Sequence, residues 1–208
     1  MARRGGQAIK QNSLSEVAAE DMLRANTYML LASLLRVPPD AEALAGVAAL
    51  EGGDGEFGGA LARLAAAAGE GTPEDIDDEF HDLFIGMGGA ELNPYASYYL
   101  TGFLHDEPLA ALRDEMAALG IARDDGVAEP EDHVAALFEM MCGLITGAFG
   151  EPVDLARQQA FFDAHIAPWA QHFFEDLETA ESAKFFAPVG TVGKLFLRIE
   201  SRSFEMAA

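Results

Sequence analysis

The feature that most constrains this chain is the spacing of its apolar residues. From Leu14 onward Val17, Met22, Ala25, Met29, Ala32 and Leu35 recur mostly at three- and four-residue steps, with Glu16, Glu20 and Arg24 on other faces. Pro38-Pro39 ends that pattern. A short Ala/Leu segment runs to Leu50, a Gly-rich turn spans Gly52 to Gly59, and an Ala-rich segment continues to about Ala68. Thr72-Pro73-Glu74-Asp75 reads as a capped helix start, with Thr72 as acceptor, Pro73 in the first position and acids where the dipole favours them. The same proline-first grammar recurs at Asn93-Pro94, Glu107-Pro108, Glu129-Pro130 and Glu151-Pro152. After Pro130, Val134, Leu137, Phe138, Met141, Leu144, Ile145 and Ala148 form a stripe broad enough for a buried helix. Sustained two-residue alternation is absent. The expected fold is all-α, a compact bundle of about nine to ten helices in two halves. The expected organisation is a disordered basic leader over residues 1–13 and a single helical domain over residues 14–208, with a hinge near 120–129.

Charge narrows the partners. Thirteen Lys and Arg against 35 Asp and Glu give a net charge of −22 over 208 residues, which repels nucleic acid and favours a cationic partner. The single cysteine, Cys142, excludes an intramolecular disulfide framework and fits a reducing, cytoplasmic setting. The longest apolar stretch, Tyr28 to Leu35, is far below the ~18–20 residues of a membrane span. Arg3-Arg4 resembles the start of an export signal, but Gln7, Lys10, Gln11, Asn12 and Glu16 leave no apolar region behind it.

Two glycine motifs fail as phosphate loops. Gly53-Asp-Gly55-Glu-Phe-Gly58 lacks a preceding strand and carries two acids, and Gly190-Thr-Val-Gly193-Lys194 has Pro188 where the first glycine belongs. The five histidines show no metal-ligand spacing, so no metal or cofactor is expected. Two other segments carry more chemistry. Phe80-x-x-Leu83-Phe84 leads through a Gly-rich turn to Pro94-Tyr95-Ala-Ser97-Tyr98-Tyr99, whose hydroxyls need partners and suit a groove with an apolar floor and a polar rim. Glu129-Pro130-Glu131-Asp132-His133 places Glu131 and Asp132 in the first turn of a helix opening at Pro130, where an Asp132–His133 pair would receive a guanidinium or a backbone amide.

Together these residues resemble the TorD/DmsD family of cytoplasmic redox-enzyme maturation chaperones, relatives of the NarJ type. The pattern is aromatic-x-x-Leu-Phe, then Pro-Tyr-x-Ser-x-Tyr, then Glu-Pro-x-Asp-His, with His165-x-x-Pro168-Trp169 downstream. The resemblance implies an all-helical, non-catalytic chaperone, monomeric or a domain-swapped homodimer. It would bind the twin-arginine signal peptide and catalytic subunit of a molybdoenzyme, of the dimethyl sulfoxide or trimethylamine N-oxide reductase or formate dehydrogenase type, and would delay export until the cofactor is inserted. On that resemblance Asp132 and Glu131 contact guanidinium, His133 orients Asp132, Phe80, Leu83, Phe84 and Tyr98 form the groove, and Tyr95 and Ser97 donate to peptide carbonyls, with Glu129 and Pro130 completing the site. Two other readings stand beside it: a non-catalytic helical scaffold for a folded partner, and a metal- or nucleotide-dependent hydrolase.

Overall fold

A computed structural model describes residues 17–86, 89–123, 126 and 128–207. The basic leader lies outside the described residues, as do parts of the hinge segment. Ten α-helices follow one another: α1 (Ala19–Arg36), α2 (Ala41–Ala48), α3 (Gly55–Glu70), α4 (Pro73–Phe80), α5 (Ala96–Thr101), α6 (Glu107–Leu119), α7 (Val134–Thr146), α8 (Leu155–Phe161), α9 (Ala170–Thr179) and α10 (Phe186–Ala207). Five-residue π-helical turns, His81–Ile85 and Phe162–Ile166, extend α4 and α8. No strand occurs among the described residues, in keeping with the missing two-residue alternation.

The broad stripe after Pro130 becomes the centre of the molecule. In α7 only Glu139, Cys142 and Thr146 escape full burial. Its long neighbour is α1, while α10 packs on both α9 and α3. Helices from before and after residues 120–129 thus share one hydrophobic cluster, in which Tyr28 meets Phe138 and Phe196 edge-on at 5.1 and 4.7 Å.

Both glycine motifs have a packing explanation. A Cβ at Gly58 would strike the backbone of Gly53, so that motif folds the 51–54 turn onto the first turn of α3. Gly190 and Gly193 lie inside α10, where a Cβ on Gly190 would come within 2.5–2.9 Å of Glu178 and Phe174 backbone atoms of α9. Lys194 pairs with Glu178 across the same contact and so has an ordinary structural partner.

The proline rule needs a correction. Thr72 accepts from Asp75 N and Asp106 from Glu107 N, so Pro73 and Pro108 sit in the first turn as expected. Pro130 does not open α7. His133 N donates to the Pro130 carbonyl at 3.2 Å, closing a turn, and the helix begins at Val134 with His133 as its cap. Likewise Asp154 caps α8, two residues after Pro152. A side-chain acceptor, not the proline ring, sets these starts, because the first amides of a helix need partners.

Candidate functional site

The two informative motifs, more than thirty residues apart in sequence, meet through a single antiparallel bridge between Tyr95 and His133. Ala96 N donates to the Asp132 carbonyl at 3.0 Å and Val134 N to the Pro94 carbonyl at 2.9 Å. The Asp132 side chain completes the join, its Oδ2 accepting from Ser97 N at 2.8 Å. Tyr95 gives α5 no side-chain cap, so the Asp132 carboxylate supplies one from outside the helix.

This arrangement changes the expected roles. Asp132 is 1% exposed, and its other oxygen, Oδ1, has no hydrogen-bond partner among the described residues; neither does the hydroxyl of Ser97 beside it. Asp132 lines a cavity of about 250 Å³ whose other walls include Ala96 and Leu100 of α5, Pro108 and Leu112 of α6, Leu137 of α7, and Ala164 and His165 of the second π-turn. A buried carboxylate oxygen without a partner, on a residue that lines a mostly apolar cavity, calls for a donor such as a guanidinium or an amide. Leu100 on the cavity wall and Phe103 and Leu104 just after α5 are exposed, Phe103 to 71%. They sit on and after a turn with Gly102 and His105 at positive φ, 82° and 61°, held by Phe103 N donating to Thr101 Oγ1.

His133 does not orient Asp132. Its Nδ1 accepts from Ala135 N at 3.1 Å, which leaves that nitrogen unprotonated. Burial, with the Arg36 charge nearby, pushes its pKa down to about 3. Glu131 is already engaged within the chain. Arg113 Nη2 and Nε reach its Oε2 at 2.8 and 3.1 Å, and Arg123 Nε lies 3.5 Å from Oε1. Burial would raise the Glu131 pKa, but those guanidiniums hold it below the ordinary carboxylate range. Glu129 accepts from the Tyr95 hydroxyl, and burial together with that bond raises the Tyr95 pKa. Glu129 and Glu131 line a separate cavity of about 170 Å³ with Arg36, Met116, Met140 and Phe149. Adjacent residues of the 129–133 segment therefore face two different cavities.

Of the aromatic segment, Phe80 and Leu83 are packed in the core and Phe84 is half-buried, with the Phe80 and Phe84 rings against Phe186 at 5.8 and 5.5 Å. These three do not line the Asp132 cavity. Tyr98 is exposed, and Tyr99 ties α5 to α9 through its hydroxyl bond to Asp176 and its ring against Trp169. Of the α6 and π-turn walls only His165 belongs to a motif, His165-x-x-Pro168-Trp169, and nothing in that motif marked it as facing this cavity. Glu107-Pro108 announced a helix start, but nothing in it indicated which cavity that helix would wall. Another depression, about 730 Å³ and rimmed by Glu70, Asp75, Asp78 and Asp82, lies elsewhere, where Glu79 accepts from the Lys184, Phe185 and Phe186 amides at the start of α10.

The chain is an all-helical protein that joins these two motifs at a buried carboxylate. The family model described as nitrate reductase delta subunit matches residues 51–175, and the chain belongs to that family. Among curated relatives, DmsD of Haemophilus influenzae, assigned as a Tat proofreading chaperone, is 29% identical over 126 residues, covering 60% of this chain and 59% of its own. The chaperone TorD of Vibrio atlanticus is 24% identical over 136 residues, covering 62% and 63%. The chain thus spans about three fifths of the length of these relatives. These matches support the TorD/DmsD membership that the motifs implied. A solved structure from Archaeoglobus fulgidus, described as a candidate redox enzyme maturation protein, superposes with a TM-score of 0.56 over 94% of this chain and 99% of its own. At 18% identity it shares the fold.

Proposed function

We propose that this protein is a non-catalytic maturation chaperone that binds the twin-arginine signal peptide of a molybdenum-cofactor oxidoreductase subunit in the cytoplasm, and holds that subunit back from export until its cofactor is in place. The observation that carries the reading is the Asp132 cavity. One oxygen of a buried carboxylate caps α5, the other has no partner, and the residue lines an apolar pocket. A twin-arginine signal joins guanidinium donors to an apolar segment. The cavity offers an acceptor for the first, and the exposed Leu100, Phe103 and Leu104 offer a surface for the second. The names of the curated relatives support the same reading. No described helix is long and apolar enough to cross a membrane.

Within this proposal the roles differ from residue to residue. Asp132 receives the guanidinium, and Ser97 offers its hydroxyl beside it. Tyr98 stands at the exposed rim. His133, Glu129 and Pro130 hold the loop, while Leu83 is packed in the core and Phe80 and Phe84 pack against Phe186. The test is a calorimetric titration with a twin-arginine signal peptide and a twin-lysine control, which keeps the charge but loses the planar fork. Asp132→Asn keeps an acceptor for Ser97 N and removes the charge, so peptide binding should weaken at least tenfold with only a few degrees' change in Tm. Ala111→Phe, at an exposed position on the cavity wall, should block binding with the carboxylate intact. Unchanged affinity in both variants would place the peptide elsewhere.

A further inference from the structure

A twin-arginine ligand brings two guanidiniums, and the proposed function gives Asp132 only one of them. The Glu-Pro-x-Asp-His segment contains two more acids, but neither is free. Arg113 and Arg123 engage Glu131, and the Tyr95 hydroxyl donates to Glu129. Both acids also line the other cavity. Among the residues lining the Asp132 cavity there is one further carboxylate, that of Glu107. Glu107 is the first residue of α6. Asp106 caps that helix by accepting from Glu107 N at 2.8 Å, so the Glu107 carboxylate takes no part in capping. It is exposed, and its side chain makes no hydrogen bond or ion pair among the described residues. The other polar wall groups offer less. Thr101 Oγ1 donates to the Ser97 carbonyl and accepts from Phe103 N. Burial lowers the His165 pKa, so its ring carries no charge at pH 7 that would oppose a cation.

We propose that Glu107 receives the second guanidinium of the signal and makes the two arginine positions unequal. The inference rests on the twin-arginine reading of the cavity and adds an acceptor that lies outside the aromatic and Glu-Pro-x-Asp-His motifs. At about 250 Å³ the cavity is smaller than the ~300 Å³ at which small-molecule sites begin, so it has room for a side chain and not for a run of peptide. One arginine enters with its aliphatic stem against Leu100, Leu112 and Leu137, and its neighbour stays outside with Glu107. The inner position is read by the planar fork. A lysine there keeps the charge but loses the fork and gives up more hydration. The outer position is read by charge alone, because water completes the shell of an exposed pair and leaves it weak. Glu107 therefore separates a signal with two adjacent cations from a chain with a single arginine.

The experiment titrates the full chain calorimetrically with three signal peptides, carrying Arg-Arg, Arg-Gln and Gln-Arg, and repeats the set on Glu107→Gln. Glu42→Gln, at an exposed first-turn glutamate of α2 outside this cavity, controls for the loss of one charge. Glu107→Gln should weaken the Arg-Arg peptide about three- to fivefold with Tm unchanged, and Glu42→Gln should leave its affinity as it was. The two single-arginine peptides should then part. The one that lacks the inner arginine should bind at least tenfold more weakly and remain sensitive to Glu107→Gln. The one that lacks the outer arginine should lose only about three- to fivefold and bind native chain and Glu107→Gln alike. Equal affinity of native chain and Glu107→Gln for Arg-Arg would overturn the inference, as would equal weakening by Glu42→Gln or an effect of Glu107→Gln undiminished with both single-arginine peptides. A native chain that fails to bind Arg-Arg would overturn the twin-arginine reading itself, and this inference with it.

Discussion

His133 and Asp132 are neighbours with separate tasks. The imidazole caps its own helix, and the carboxylate caps another. Because the ring must stay neutral to accept from Ala135 N, its folded pKa of about 3 lies below the ~6.5 of the unfolded chain. A depressed histidine adds stability that is complete above pH ~6.5 and is lost as pH falls toward 3, since the unfolded chain takes up a proton that the folded one refuses. The slope reaches about 1.4 kcal/mol per pH unit. His165, also depressed by burial, acts in the same direction. His133→Asn keeps a side-chain acceptor for the cap and removes the titration. Thermal melts between pH 6.5 and 4.5 should therefore fall less steeply for the variant, by roughly 3–5 °C per pH unit. Parallel curves would mean that the ring is charged in the folded protein.

At the scale of elements, close backbone approach fixes how α10 lies against α9. Glycine at 190 and 193 lets the two helices meet at a distance that any side chain at 190 would prevent, because the nearest atoms belong to the rigid backbone of α9. Gly190→Ala would add helix propensity worth about 1 kcal/mol on an open helix, yet overpacking here should outweigh it. A net loss of about 1–2 kcal/mol in chemical denaturation is expected, and a gain in stability would show that α10 can slide. The π-turn after α8 is the other element that matters, since it brings Ala164 and His165 to the cavity wall.

Across the whole molecule, α1, α8 and α10 are pinned by one buried charge. Glu200 is fully buried, takes both Nε and Nη2 of Arg24 at 2.8 and 2.9 Å, and accepts from the Tyr28 hydroxyl at 2.9 Å. Burial alone would lower the Arg24 pKa, but the Glu200 bonds and charge raise it instead, while burial and then the Glu200 charge and bond raise that of Tyr28. Arg24→Met would leave Glu200 buried without its cation, a loss of about 3–5 kcal/mol. The melting temperature should drop by roughly 10 °C, and adding Glu200→Gln should recover part of it. No recovery would mean that Arg24 acts through packing alone, for instance over the Phe204 ring at 5.3 Å.

Much of this architecture was legible in the order of residues. Helical periodicity, the capped start at Thr72 and the buried stripe of α7 are local properties, set by turn geometry and by the exclusion of apolar side chains from water. The motifs marked out Ser97 and Asp132, because buried polar groups must be matched by partners. Which partner each receives is a different matter. The sequence placed Phe80 and Leu83 in a groove and Glu131 opposite an incoming arginine, whereas packing turned the first two into the core and the chain's own Arg113 and Arg123 engaged the third. The cavity itself is walled by four helical segments distant in sequence, and no local pattern encodes which of their faces meet. Contacts of that kind depend on how whole helices pack, and only the tertiary structure decides them.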